Sequence, residues 1–296
     1  MAATRYLDPA GLARLGNMEL VSRQVVDGFL TGRHRSPYHG FSVEYLDHRA
    51  YSPGDDMRTM DWKMLARSDK YYVKLFEDET NLRAYILLDC SESMGFRSGE
   101  ISKLDYGAFL AASLSYLLIR QNDAVGTLLF DSDIRTYVPP RAHPSQFRRV
   151  LETLEGLQPG GETSIGSILN RAAERTKRRG LIILISDLID NEAEIAHGLQ
   201  RFRHSQHEVV VFHVMDDAEL TFPYDRLTRF KDMEGAGRGV TNPKNLRKRY
   251  LERIREFQAR LRGDCLERKV DYNLVKTTEP YDKFLSAYLD KRSRMG

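Results

Sequence analysis

From Ala84 onward, short apolar runs alternate with longer stretches of helical periodicity, and that alternation is the signature of a parallel sheet covered by helices. The spacing predicts strands at Ala84–Leu88, Ala124–Phe130, Leu181–Ile185, Glu208–Val214 and Val270–Val275, with a short edge piece near Thr136–Val138. Helices are predicted between them at Leu104–Arg120, Ser145–Leu154, Ser164–Arg178 and Glu192–Arg203. Pro144-Ser145 and Thr163-Ser164 supply side chains of the kind that cap orphan helix N–H groups, and Gly180 is expected to end the third helix in a left-handed conformation. A further helix opens at Pro243, presents Leu246, Tyr250, Ile254, Phe257 and Leu261 on one face and is expected to stop at Gly263. A last one after Pro280 places Tyr281, Phe284, Leu285, Tyr288 and Leu289 on one stripe.

The expected fold is therefore α/β, a doubly wound and mostly parallel sheet, with residues 81–296 forming this domain and its docking helices. Residues 1–80 have a different texture and read as an accessory segment. It carries a helix at Glu19–Phe29, strand-like alternation at Phe41, Val43 and Tyr45, a second strand at Tyr71–Phe76, and a turn-forming cluster at Tyr51–Asp56 between the two strands.

The run Ala84–Leu88 reads as a strand buried on both faces, and it ends at Asp89-x-Ser91-x-Ser93, three oxygen-bearing side chains at alternate positions. Ligands of open α/β sheets bind outside the carboxyl ends of strands, where this segment falls. Two more oxygen donors occupy equivalent places: Thr163, in the glycine-bearing loop Gly160-Gly161-Glu162-Thr163-Ser164, and Asp187, just after the run Leu181–Ile185. If the strands are parallel neighbours, Asp89, Ser91, Ser93, Thr163 and Asp187 converge. Carboxylates and hydroxyls are hard donors, which favours magnesium, with manganese or calcium as alternatives, over zinc. With two carboxylates in the set, the ion is expected to keep a position open for an acidic side chain of a partner. Turn and cap chemistry alone could produce Asp-x-Ser-x-Ser, and the distant Thr163 and Asp187 are what argue against that reading.

The Asp-x-Ser-x-Ser, Thr and Asp pattern resembles the metal-ion-dependent adhesion site of von Willebrand factor A domains. The resemblance implies a doubly wound domain that binds proteins through its metal and is not itself catalytic. Tyr51-x-Pro53-Gly54-Asp55-Asp56-x-Arg58-x-x-Asp61-Trp62-x-x-x-Ala66-Arg67, with Asp123-x-Val125-Gly126, is similar to the bacterial family catalogued as domain of unknown function fifty-eight. That resemblance implies an adaptor working with a MoxR-type AAA+ ATPase in assembling or maturing other complexes. Many members are longer and membrane-anchored, whereas this chain reads as a short soluble form.

The first thirty residues hold Arg5, Asp8, Arg14, Glu19 and Arg23, and no apolar stretch approaches the roughly 20 residues of a membrane span, so a cytoplasmic protein is expected. Cys90 and Cys265, the only cysteines, read as reduced thiols. A formal charge of +3 on 296 residues gives no whole-chain reason for a nucleic-acid partner, and the basic residues from Lys244 to Arg262 read as a solvated face. His204 and His207 read as surface histidines, since no second pair with zinc-ligand spacing exists. The competing enzyme reading is a magnesium-dependent phosphohydrolase of the haloacid dehalogenase type with Asp89 as nucleophile. It is weakened by Ser91, which stands where that chemistry needs a second aspartate as acid and base.

Overall fold

A computed structural model describes residues 82–224 and 243–293 continuously, the strand segments 43–50, 71–78, 228–231 and 238–241, and the single positions Met18, Ser22, Arg23, Val26 and Met60. In chain order the elements are β1 (Val43–Ala50), β2 (Tyr72–Asp78), β3 (Arg83–Asp89), α1 (Lys103–Arg120), β4 (Ala124–Phe130), β5 (Ile134–Arg141), α2 (Ser145–Leu154) and α3 (Ile165–Arg175). They continue with β6 (Leu181–Ser186), α4 (Glu192–His204), β7 (Glu208–Met215), α5 (Asp217–Thr221), β8 (Thr228–Lys231), β9 (Arg238–Thr241), α6 (Pro243–Glu267), β10 (Asp271–Lys276) and α7 (Tyr281–Ser293).

The central sheet has six strands in the order β10-β7-β6-β3-β4-β5, parallel throughout except for β5, which runs antiparallel at one edge. Alternate residues of each strand enter opposite layers, as the period of an extended chain dictates. Ala84, Ile86 and Leu88 pack with apolar residues of α1, α2 and α7 on one face. Tyr85 and Leu87 pack with α3, α4 and the buried Leu261 and Cys265 of α6 on the other. The expected doubly wound α/β fold is present. Two antiparallel pairs lie outside the sheet: β1 with β2, and β8 with β9, the latter not anticipated from sequence.

The chain leaves β3 for β4 and β5 on one side, then returns to build β6, β7 and β10 on the other. Strand order therefore reverses between β3 and β6, and a crevice opens at their carboxyl ends.

Several local expectations need correction. Gly263 does not end α6, which runs on to Glu267 because Cys265 docks into the core at 2% exposure. Cys265 thus lies within the helix. Gly180 lies beyond the end of α3 and is absent from the left-handed residues; a Cβ there would meet the Arg83 carbonyl oxygen at 2.1 Å, so close backbone approach requires the glycine. Ser164 makes no side-chain cap on α3, and Pro144 none on α2. The edge strand β5 is eight residues long, well beyond Thr136–Val138.

His204 is exposed as expected, but His207 is buried against the Thr176 carbonyl, which accepts from its Nε2 at 3.0 Å. In the accessory segment, Val26 is fully buried in the cluster on the α1 face, and Arg23 lies over the Tyr116 ring at 5.7 Å. The Tyr51–Arg67 segment, apart from Met60, lies outside the described residues.

Candidate metal centre at the switch point

Asp89 closes β3 and is fully buried, as are Ser91 and the neighbouring Ser186 at the end of β6. Its carboxylate is held on both oxygens: the Ser91 amide donates to Oδ1 at 2.9 Å and the Ser186 hydroxyl donates to Oδ2 at 2.7 Å. The Ser186 Oγ in turn accepts from the Leu188 amide at 2.9 Å, which ties the loop after β6 to the loop after β3. The Ser91 and Ser93 hydroxyls lie 3.0 Å apart, and Ser93 hydrogen-bonds the Asp187 carboxyl. Asp89, Ser91, Ser93 and Asp187 are thus brought together by parallel registry of β3 on β6.

Thr163 arrives from the other side. The Gly160 amide donates to the Cys90 carbonyl and the Glu92 amide to the Gly161 carbonyl, both at 3.0 Å, so its loop runs alongside the Asp89–Ser93 segment. Gly161 makes that approach possible by adopting a φ of +76°, where a side chain would be strained and would also press on Asp131. Arg135 of β5 fastens the loop by donating to the Gln158 carbonyl at 2.8 Å and to the Gly160 carbonyl. The Ile165 amide, which opens α3, donates to Asp190 Oδ2 at 2.6 Å, so the cap comes from the loop after β6. Thr163 itself is half-buried.

The structure adds residues that sequence reasoning missed. Lys103, the first residue of α1, is 1% exposed and its ammonium lies 2.7 Å from Asp187 Oδ2 and 2.8 Å from Glu219 Oε1. Glu219 belongs to α5, where its Oε2 accepts from the Asp216 amide at 2.8 Å in a capping box. His213 of β7 is in register with Ser186, fully buried, and shares a hydrogen bond of 2.7 Å with the Tyr272 hydroxyl.

Burial sets the electrostatics. Asp89 is pushed up to about 7, first by loss of solvent and then by the negative charge of Asp187. Burial opposes ionisation of Asp187 too, but the Lys103 ammonium outweighs it and holds that carboxyl below its ordinary range. For Lys103, the attraction of Asp187 and Glu219 overcomes desolvation and raises the amine above its usual value. His213 is driven down to about 4 by burial and is neutral near pH 7. Burial likewise pushes the Cys90 thiol up to about 12, which leaves it a protonated thiol at neutral pH.

Asp89 and Asp187 are a buried pair of carboxylates flanked by hydroxyls, and among the described residues only Asp187 of the two is ion-paired. Such a donor set fits a hard cation: carboxylate and hydroxyl oxygens are what magnesium, manganese and calcium take. Among the described residues, no three His, Cys, Asp or Glu side chains group as metal ligands, so any cation here would rely on the hydroxyls.

The model of the family described as "Protein of unknown function DUF58" matches residues 47–260. The chain belongs to the DUF58 family. Uncharacterized protein Mb1516 of Mycobacterium bovis is 27% identical over 219 residues, covering 73% of this chain and 68% of that protein. Uncharacterized protein Rv1480 of Mycobacterium tuberculosis matches to the same extent. Among solved structures, an aerotolerance-related membrane protein from Bacteroides fragilis aligns with a TM-score of 0.49 at 19% identity, over 73% of this chain and all of the other. The conserved hypothetical protein BatB from Bacteroides thetaiotaomicron aligns at 0.48 with 21% identity, over 72% and 99%. The matched span of this DUF58 chain includes every candidate cation ligand as well as Lys103 and Glu219.

Proposed function

We propose that this DUF58 protein is a metal-dependent protein-binding adaptor that works with a MoxR-type AAA+ ATPase in assembling or maturing other protein complexes. The observation that supports it is the convergence of Asp89, Ser91, Ser93 and Asp187 at the strand-order reversal, with the Thr163 loop hydrogen-bonded alongside. Asp89, Ser91, Ser93 and Thr163 would hold a divalent cation, magnesium ahead of manganese or calcium, and Asp187 would do so directly or through water. The bound cation supplies an electrophilic position for an acidic side chain of the partner. The protein's own residues would position that group: Ser186 and the Ser91 amide orient Asp89, and Arg135 fixes the Thr163 loop.

The ATPase connection rests on the family resemblance. Among the described residues no helix is long and apolar enough to cross a membrane; action in the cytoplasm is part of the same proposal. The role is one of binding without turnover.

Affinity capture from lysate of the source organism tests this reading, using wild type and Asp89→Ala, each with magnesium or a chelator, and mass spectrometry of the captured proteins. Recovery of an AAA+ ATPase only with wild type plus magnesium is the expected result. Identical partners in all four conditions would overturn it. Magnesium-dependent turnover of a generic phosphate ester, lost in Asp89→Asn, would favour the phosphohydrolase instead.

A further inference from the structure

A lysine is an unusual first residue for a helix, because the partial positive charge of the helix N-terminus repels it. Lys103 holds that position and is also withdrawn from water, so strong local interactions must retain it. Its ammonium is shared between Asp187 Oδ2, at 2.7 Å, and Glu219 Oε1, at 2.8 Å, and lies over the Phe96 ring at 5.8 Å. One of its two carboxylate partners is a candidate cation ligand. The other belongs to α5, outside the sheet, and is held in place by the Asp216 amide.

We propose that Lys103 sets the cation affinity of the switch-point site by acting as a built-in competing cation, with Glu219 as the anchor that shares its charge. The inference rests on the divalent-cation reading given above. Asp187 already accepts from the Lys103 ammonium at Oδ2 and from the Ile189 amide at Oδ1, at 3.2 Å, so an incoming cation must share its negative charge with the ammonium. A divalent ion held by Asp187 also shares that carboxylate with the Lys103 ammonium, in buried surroundings where like charges interact strongly. Wild-type affinity is therefore held low, and occupancy follows the free cation concentration.

Glu219 modulates this competition. While it shares the ammonium, part of the Lys103 charge is balanced away from the site; without it, the full charge bears on Asp187. Removing Lys103 and removing Glu219 should hence move cation affinity in opposite directions, whereas an ion pair electrostatically uncoupled from the site would leave it unchanged.

The test is calorimetric titration of the full 296-residue chain with magnesium chloride, repeated with manganese chloride. The proteins are wild type, Lys103→Gln, Glu219→Gln, the double variant carrying both changes, and Asp89→Ala. Lys103→Gln should bind magnesium at least about tenfold more tightly than wild type, and Glu219→Gln several-fold more weakly. The double variant replaces an ion pair by two neutral amides, so it reads out the lysine against Glu219→Gln even if Lys103→Gln alone fails to fold. It should bind at least about tenfold more tightly than Glu219→Gln. Equal affinities within each of these pairs, with binding abolished in Asp89→Ala, would overturn the competing-cation role and leave the cation site standing. Unchanged binding in Asp89→Ala, or none in any protein, would overturn the cation reading and the inference with it.

Discussion

His207 is the clearest titrating group away from the site. Burial holds its pKa below the ordinary 6.5, although the Thr176 carbonyl accepts from its ring. The unfolded chain takes up a proton below about pH 6.5 that the folded ring resists, so the stability this residue contributes is complete above that pH and is lost as pH falls. His207→Gln retains a donor but does not titrate. The gap in urea midpoint between wild type and His207→Gln should narrow from pH 7 to pH 5.5, and a gap that stays constant or widens would contradict the assignment. At the same scale, the convergence of Asp89, Ser91, Ser93 and Asp187 was legible in the sequence because each lies at or just past the end of an apolar strand run. Lys103 was not. Its one signal was a cation at a helix N-terminus, which predicts an unusual environment without naming Asp187 or Glu219, residues far along the chain.

Among the elements, α3 depends on a cap from elsewhere. Ser164 supplies no side-chain bond, and Asp190 accepts from the Ile165 amide instead, joining the Thr163 loop to the loop after β6. Asp190→Ala should cost about 1 kcal/mol of stability, as loss of a helix cap does, and equal unfolding midpoints would rule the cap out. In α6, a Cβ on Gly263 would meet nothing within 4 Å and its φ is not positive. Gly263→Ala should stabilise the protein by about 0.5–1 kcal/mol in chemical denaturation, whereas destabilisation would show the glycine to be structurally required. These positions explain the element-level misses. A glycine is read as a helix stop when tertiary docking of residues such as Cys265 cannot be seen, and a cap supplied from a distant loop leaves no local pattern.

Taken whole, the molecule is a doubly wound sheet whose strand order reverses where its carboxylates gather. The central strands β3, β4, β6 and β7 were legible because burial on both faces demands nearly continuous apolar runs, such as Leu181-Ile182-Ile183-Leu184-Ile185. The edge strand β5 was legible only in part, since its burial is mixed, and the β8–β9 pair outside the sheet carries only four residues per strand. The approach of the Thr163 loop to the Asp89–Ser93 segment depended on two backbone hydrogen bonds between loops, which sequence can suggest only through Gly160 and Gly161. Anomalous diffraction from crystals of the full chain grown with manganese decides whether a divalent cation is held at this switch point. An anomalous peak bordered by Asp89, Ser91, Ser93, Thr163 and Asp187 and absent in Asp89→Ala is expected; manganese bound only elsewhere, or a peak that persists in the variant, would rule the cation site out.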